Sequence, residues 1–456
     1  MERVDIYLDI VMQQPLLLAP IAALAFAFLL VPAHRRLSVT LIVLVPWLTV
    51  ARLPGLGTIQ AAAKVGSVAA YALIAIAALI HPGPRRDIPA IVWLYVVLAV
   101  LSILYVVRVD ERMLAIVLRM QWLAVTVAAI TVVRTLVTWE DFKQFIDSLT
   151  WGCIVALALP ISGLILFPTE SFLRGIARFQ PYGANSNQIG MLFALSVPLI
   201  TYMAMTTRRV SIRPFLILLV TGTIGMALIT GSRQTMLAIV LVMTPVVFVL
   251  SKRPILTFLV LVIAGGGLLW LLSSVETAAM ERFTSLESTR LDIWALYWGE
   301  IFPQRPLFGL LGTTGESYFK DMSLVGQHPH NAWFYLMYLG GASLALPMFL
   351  LSIYSVFSGW QIWKRRTLLG GDPFLYSLML VLLVAMYIQG LFNQVVYWPT
   401  YSWSFLHVVL AGLFITLWSD IKEGRLSEAL PSLEDLDAYE REMEEFEDFS
   451  VPQPAT

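Results

Sequence analysis

Apolar runs closed by a proline, a glycine or a knot of arginines recur along this chain from about residue 15 to residue 418. A helix rises about 1.5 Å per residue, so roughly 20 apolar residues cross a hydrocarbon layer of about 30 Å. The runs centre on 15 to 32, 37 to 52, 60 to 80, 88 to 107, 113 to 133, 149 to 167, 188 to 205, 214 to 230, 234 to 250, 255 to 272, 331 to 358, 374 to 393 and 400 to 418. They predict an all-α, polytopic transmembrane helix bundle of about 12 to 13 spans, with one long, partly helical outer loop.

Composition agrees with the pattern. With 58% hydrophobic and 13% charged residues over 456 positions, the chain has too little polar surface to clothe a soluble globule. One cysteine, Cys153, lies inside an apolar run, which excludes an intramolecular disulfide or a cysteine-built metal cluster. Lys and Arg total 30 and so do Asp and Glu, a balance that argues against a nucleic-acid partner. The opening Met1-Glu2-Arg3-Val4-Asp5 lacks a basic stretch ahead of a cleavable apolar core, so no signal peptide is expected.

Charge also assigns the two faces. Arg35-Arg36, Arg85-Arg86, Arg208-Arg209 with Arg213, Lys252-Arg253 and Lys364-Arg365-Arg366 fall on alternate connections, the signature of cytoplasmic loops. Segments 168 to 187 and 273 to 329 then lie outside. Two regions follow: a membrane domain, 1 to 418, which contains an outer loop at 273 to 330, and a cytoplasmic tail, 419 to 456. Nine carboxylates between Glu434 and Asp448 make that tail a solvated, partly disordered extension. No internal repeat of the kind that builds many transporters is visible.

Cations on the outer side break the charge rule: Arg108, Arg112, Arg119, Arg174, Arg178, Arg233, Arg282, Arg290 and Arg305, with Lys64 and Lys320. Arg233, in Gly231-Ser232-Arg233, stands at the junction of two long apolar runs. Arg119 falls about 10 Å inside a span, where an unpaired guanidinium costs about 2.5 to 3.5 kcal/mol. Span centres hold no Asp or Glu, so a partner comes from a loop or from a ligand. Phosphate oxygens match the planar guanidinium fork. Structural alternatives stand beside this reading: a packing role for Arg233, snorkelling for Arg119, and a salt bridge from Arg290 to Asp292 or Glu287.

The outer loop ends in His328-Pro329-His330-Asn331, directly before the run from Ala332 to Phe357. Free backbone N–H groups and the positive helix end attract anions and disfavour an imidazolium. A neutral His330 accepts a proton near pH 7, Pro329 stiffens its approach, and Asn331 is suited to cap the first turn. An interfacial histidine without chemistry is the plainer alternative. The five histidines include His34 and His81 on the cytoplasmic side and offer no His/Asp ligand set, so neither metal nor cofactor is expected.

Four segments carry a resemblance to a family. They are Gly183-Ala184-Asn185-Ser186-Asn187-Gln188; Gly231-Ser232-Arg233-Gln234; Arg290-Leu291-Asp292-Ile293-Trp294 followed by Pro306-Leu307-Phe308-Gly309; and His330-Asn331 with Gly340-Gly341. In order and setting the set resembles the O-antigen ligase and O-antigen polymerase family of bacterial integral membrane glycosyltransferases, over roughly residues 170 to 350. Departures from the family pattern are Gln234-Thr235, Tyr338 and Ser343-Leu344.

The resemblance implies metal-independent transfer of a glycan from an undecaprenyl diphosphate carrier to a hydroxyl of a glycan, lipid A core or protein acceptor. It places that reaction on the outer face of the cytoplasmic membrane, among membrane lipids. By the same resemblance His330 is the loop histidine needed for transfer. Arg233 and Arg290 hold the diphosphate, with Arg178 and Arg119 as further candidates and Asn331, Ser232, Asn187 and His328 in support. A multi-span transporter or flippase for lipid-linked glycans is the competing class. Ion-coupled carriers place carboxylates inside spans, and none is found at these span centres.

Overall fold

The computed structural model describes residues 26, 28–108, 112–172, 178–250, 290–309, 329–367, 369, 371–393, 395–398 and 401–423. Its long elements are helices α1 (Ala33–Val50), α2 (Thr58–Val65), α3 (Ser67–Leu79), α4 (Ala90–Leu104), α5 (Arg112–Thr135), α6 (Trp139–Leu166), α7 (Ser186–Thr206), α8 (Arg213–Ile229), α9 (Arg233–Leu250), α10 (Arg290–Leu296), α11 (Ala332–Lys364), α12 (Pro373–Gly390) and α13 (Ser402–Lys422). Local chemistry explains where many of them start. Thr138 and Asp141 exchange hydrogen bonds in a capping box that opens α6, while Asn185 and Asp372 side chains accept from the first turns of α7 and α12.

Six helices, α5 from Ala115, α6, α7, α11, α12 and α13, are long and apolar enough to cross a membrane. A seventh span arises if α2 and α3, bent by 43° about Gly66, cross together. The chain is a multi-pass, all-α membrane protein. The expected 12 to 13 spans are not reached among the described residues. Helices α4, α8 and α9 are apolar but shorter, and the runs at 15 to 32 and 255 to 272 fall mostly or wholly outside those residues, as does the acidic tail beyond 423.

Two helices organise the bundle. In α7 and α13 the most apolar window is 83% buried, against 44% in α6, so the first two are central and α6 is peripheral. α13 packs on α5 and α11, and α7 packs on α6, α8 and α9. Trp403 of α13 joins the two groups by donating its indole N–H to the Met191 carbonyl of α7, 2.8 Å away.

The ends of the bundle differ in charge. At one end Arg86 pairs with Asp420 at 2.8 Å, both side chains being buried, and donates to the carbonyls of Leu136 and Val137. There too the Arg365 guanidinium lies over the Trp418 ring, 5.1 Å from its centroid. These contacts bring the basic connections at Arg85-Arg86 and Lys364-Arg365-Arg366 to a single end; Lys252-Arg253 lies outside the described residues. Arg233 and His330 stand at helix starts at the opposite end, with Arg178 against the C-terminal end of α8.

Helix α11 is broken, and the break ties a loop to it. Gly341 has φ +62°, ψ −158°, a conformation closed to a β-carbon, which at this position would also run into the backbone of Leu307 through Gly309. The N–H groups of Ala342 and Ser343, freed by the break, donate to the carbonyls of Pro306 and Leu307 at 2.8 and 3.0 Å. The Pro306–Gly309 turn thus completes the helix that it interrupts, consistent with the rule that backbone polar groups within a membrane are satisfied internally.

Candidate functional site

The first group of predicted site residues surrounds the α8–α9 turn. Gly231, at φ +62°, reverses the chain, and Ser232 caps α9: its hydroxyl accepts from the backbone N–H of Thr235 at 3.4 Å and from the Thr235 hydroxyl at 2.8 Å. Arg233 is therefore presented at the first position of α9, and it is exposed.

Arg178 comes in from the side. Only 7% exposed, it donates through Nε to the Thr230 carbonyl at 2.8 Å and through Nη2 to the Asn187 Oδ1 at 3.3 Å, while the adjacent Phe179 N–H donates to the Ile229 carbonyl. Arg178 and Asn187 thus brace the turn that carries Arg233. The structure draws this arginine toward a positioning task, where the sequence had grouped it with the anion holders.

A second group surrounds the start of α11. Asn331 caps it, its Oδ1 accepting from the N–H groups of Trp333 and Phe334 at 2.9 and 3.1 Å. His330, immediately before, has φ +46°. A side chain in this left-handed region costs about 1 to 2 kcal/mol, and such strain concentrates at functional sites.

The Pro329 carbonyl accepts the indole N–H of Trp294 at 2.8 Å, and Trp294 also meets Phe334 edge-on. Arg290 sits one helical turn before Trp294 on the same face of α10. One short helix therefore ties Arg290 to the residue beside His330. The α-helical pattern that opens at Arg290 runs to Leu296, then widens into a π-type turn over Tyr297–Ile301 that buries Tyr297 and Ile301 against Tyr338. His328 lies outside the described residues.

Arg119 lines a separate pocket, with about 510 Å³ of empty volume, between α5 and α11. Trp122, Tyr335, Leu339, Met348 and Tyr397 share its wall. Arg119 is 3% exposed, and its guanidinium donates to the Ala115 carbonyl of its own helix at 3.3 Å. It neither reaches the surface as a snorkelling side chain does nor joins the Arg233 group.

The two groups meet through the end of α12. Gln389 donates its side-chain Nε2–H to the Gln234 carbonyl, which places the last turn of α12 against the first turn of α9. The next residue, Gly390, has its side facing Ala332, where a β-carbon would come to 3.5 Å from the alanine's own. Arg233 is therefore one residue, and His330 two residues, from a pair of contacting helix ends.

Some residues of this end escaped the sequence reading. Arg52, just past α1, lies over the Tyr401 ring at 3.7 Å and lines a pocket of about 350 Å³ with Gln188, Thr49 and Ser402. Its position at the outer end of the run from 37 to 52 is the same signal that singled out the other outer arginines. Gln389 was marked only by being an amide inside an apolar run. Among the described residues no group of three or more His, Cys, Asp or Glu side chains is placed to hold a metal ion. The chain matches no family model, and neither curated proteins nor solved structures give a match to it.

Proposed function

We propose that this protein is a membrane glycosyltransferase that moves a glycan from an undecaprenyl diphosphate carrier to an acceptor hydroxyl on the outer face of the cytoplasmic membrane. The observation that carries the reading is the convergence of an exposed arginine at one helix start with a strained histidine at another, at the end of the bundle away from the basic loops. A diphosphate leaving group needs cations, and an incoming hydroxyl needs a base.

In the proposed reaction His330 takes the proton of the acceptor hydroxyl as its oxygen attacks the anomeric carbon. The bond to the diphosphate breaks and the configuration inverts. Arg233 and Arg290 hold the charge that grows on the departing diphosphate. No proton has to reach a diphosphate at neutral pH, so one base suffices where a glycosidase needs two carboxylates. Ion-coupled transport finds less support: Asp147 is paired with Lys143 one turn away, and Asp420 with Arg86 at the basic end.

The test is transfer by the purified protein in a bilayer, supplied with a lipid-linked glycan and each acceptor class in turn. Lengthened carrier-bound chains identify a polymerase, and a glycan moved onto lipid A core or protein identifies a ligase. His330→Ala should lower the transfer rate by about 10²- to 10⁴-fold, the usual contribution of a general base, and Arg233→Glu should weaken carrier binding. Normal transfer by His330→Ala removes the base. Movement of the carrier across the bilayer without transfer to any acceptor removes the enzyme.

A further inference from the structure

Between the arginine turn and the histidine helix lie two buried amides, three of whose four polar side-chain atoms have no hydrogen-bond partner among the described residues. Gln234 is 6% exposed, and among the described residues neither its Nε2 nor its Oε1 has a hydrogen-bond partner. Gln389 is fully buried, and its Oε1 is likewise without one, although its Nε2 donates to the Gln234 backbone. Buried polar groups are nearly always matched, and three unmatched atoms on two touching residues call for a polar guest. An apolar side chain would pack at 234 at less cost.

Position says what the guest is. Gln234 follows Arg233 directly, and Gln389 precedes Gly390, which touches Ala332 two residues beyond His330. In a displacement on a sugar diphosphate, the sugar ring lies between the charged leaving group and the base that deprotonates the acceptor. The amides stand beside the helix ends that carry Arg233 and His330. Each can donate and accept at once, which suits hydroxyl or acetamido groups and is poorly suited to a phosphate. Access is short: Arg233 is exposed, and Leu391, two residues beyond Gln389, is 42% exposed.

We propose that Gln234 and Gln389 form the subsite for the first sugar of the carrier-linked glycan and read its hydroxyl or acetamido groups. This rests on the glycosyl-transfer reading above and assigns a specificity site within it. The amides select the sugar, while the arginines hold the carrier whatever it bears.

Binding to the full-length protein in nanodiscs separates the two ideas, with undecaprenyl diphosphate and undecaprenyl diphosphate-N-acetylglucosamine as probes. Wild type should bind the sugar-bearing carrier about tenfold more tightly than the bare one, the range expected for one or two hydrogen bonds. Gln234→Met, which keeps the unbranched shape, should abolish that preference and leave bare-carrier affinity unchanged, whereas Gln389→Met should abolish the preference and, by giving up the bond to the Gln234 carbonyl, also weaken binding of the bare carrier. Gln234→Met should also keep or raise the melting temperature, since its side chain gives up no protein hydrogen bond.

Wild type that binds both carriers equally overturns the subsite and leaves the transferase reading standing, as does a preference that persists in both variants. The same holds if Gln234→Met lowers the melting temperature sharply, which would mean the amides are structural. Wild type that binds neither carrier overturns both proposals.

Discussion

Single residues at this end of the molecule divide into those that present chemistry and those that hold the presenters. Asn331 is of the second kind, since its side chain satisfies two N–H groups of the first turn of α11 and fixes where His330 stands. Asn331→Ala should cost about 0.5 to 2 kcal/mol, the usual loss for a helix N-cap, seen as a lower melting temperature. If His330 acts as base, transfer should fall further than stability alone accounts for, and a variant that unfolds earlier yet transfers at the normal rate would separate the cap from the site. Arg178 is a holder too, and Arg178→Lys, which cannot reproduce a planar pair of bonds to Thr230 and Asn187, should loosen the α8–α9 turn. Limited proteolysis of that turn checks it; unchanged cleavage would mean that the brace is dispensable.

At the scale of elements, the decisive contact joins the Pro306–Gly309 turn to the break in α11. Gly341→Ala places a β-carbon on the Leu307–Gly309 backbone and strains a φ of +62°, so the loop must shift away. With it go the bonds from Ala342 and Ser343. We expect a fall in stability and a loss of transfer together, whereas Ala345→Gly, on the same helix beyond the break, should cost only about 1 kcal/mol. Hydrogen exchange at Ala342 and Ser343 reports the change, and protection equal to wild type in Gly341→Ala would refute it. Glycine and proline are chain breakers, and the Gly-Gly pair and the Pro-Leu-Phe-Gly segment were each singled out in the sequence. Their partnership was not, because breakers announce where a helix stops and say nothing of which distant carbonyls will take its freed N–H groups.

For the whole molecule, the basic end is held by Arg86 and Asp420, which join the loop before α4 to the last turn of α13 across 334 positions. Both are buried, so removing one takes from the other its oppositely charged partner at 2.8 Å. Arg86→Ala should destabilise the fold by about 3 to 5 kcal/mol, whereas the double variant Arg86→Met with Asp420→Leu should recover most of it. Denaturation in detergent measures both, and a double variant no better than the single would show that the pair does more than neutralise itself.

Hydropathy, charge alternation and local capping are properties of neighbours along the chain, and they determined the helical class, the membrane setting, the separation of the basic end and the caps at Thr138 and Asn331. Boundaries shifted where local signals were mixed: α6 begins at Trp139, ten residues before the apolar run that announces it, because the capping box adds a polar first turn. Only the tertiary structure decided which helix ends touch. It brought Gln389 to Gln234 and Gly390 to Ala332, turned Arg178 inward as a brace, and set Arg119 in a pocket of its own. Those choices rest on the packing of side chains between helices distant in sequence, and one-dimensional periodicity carries no record of which apolar face meets which.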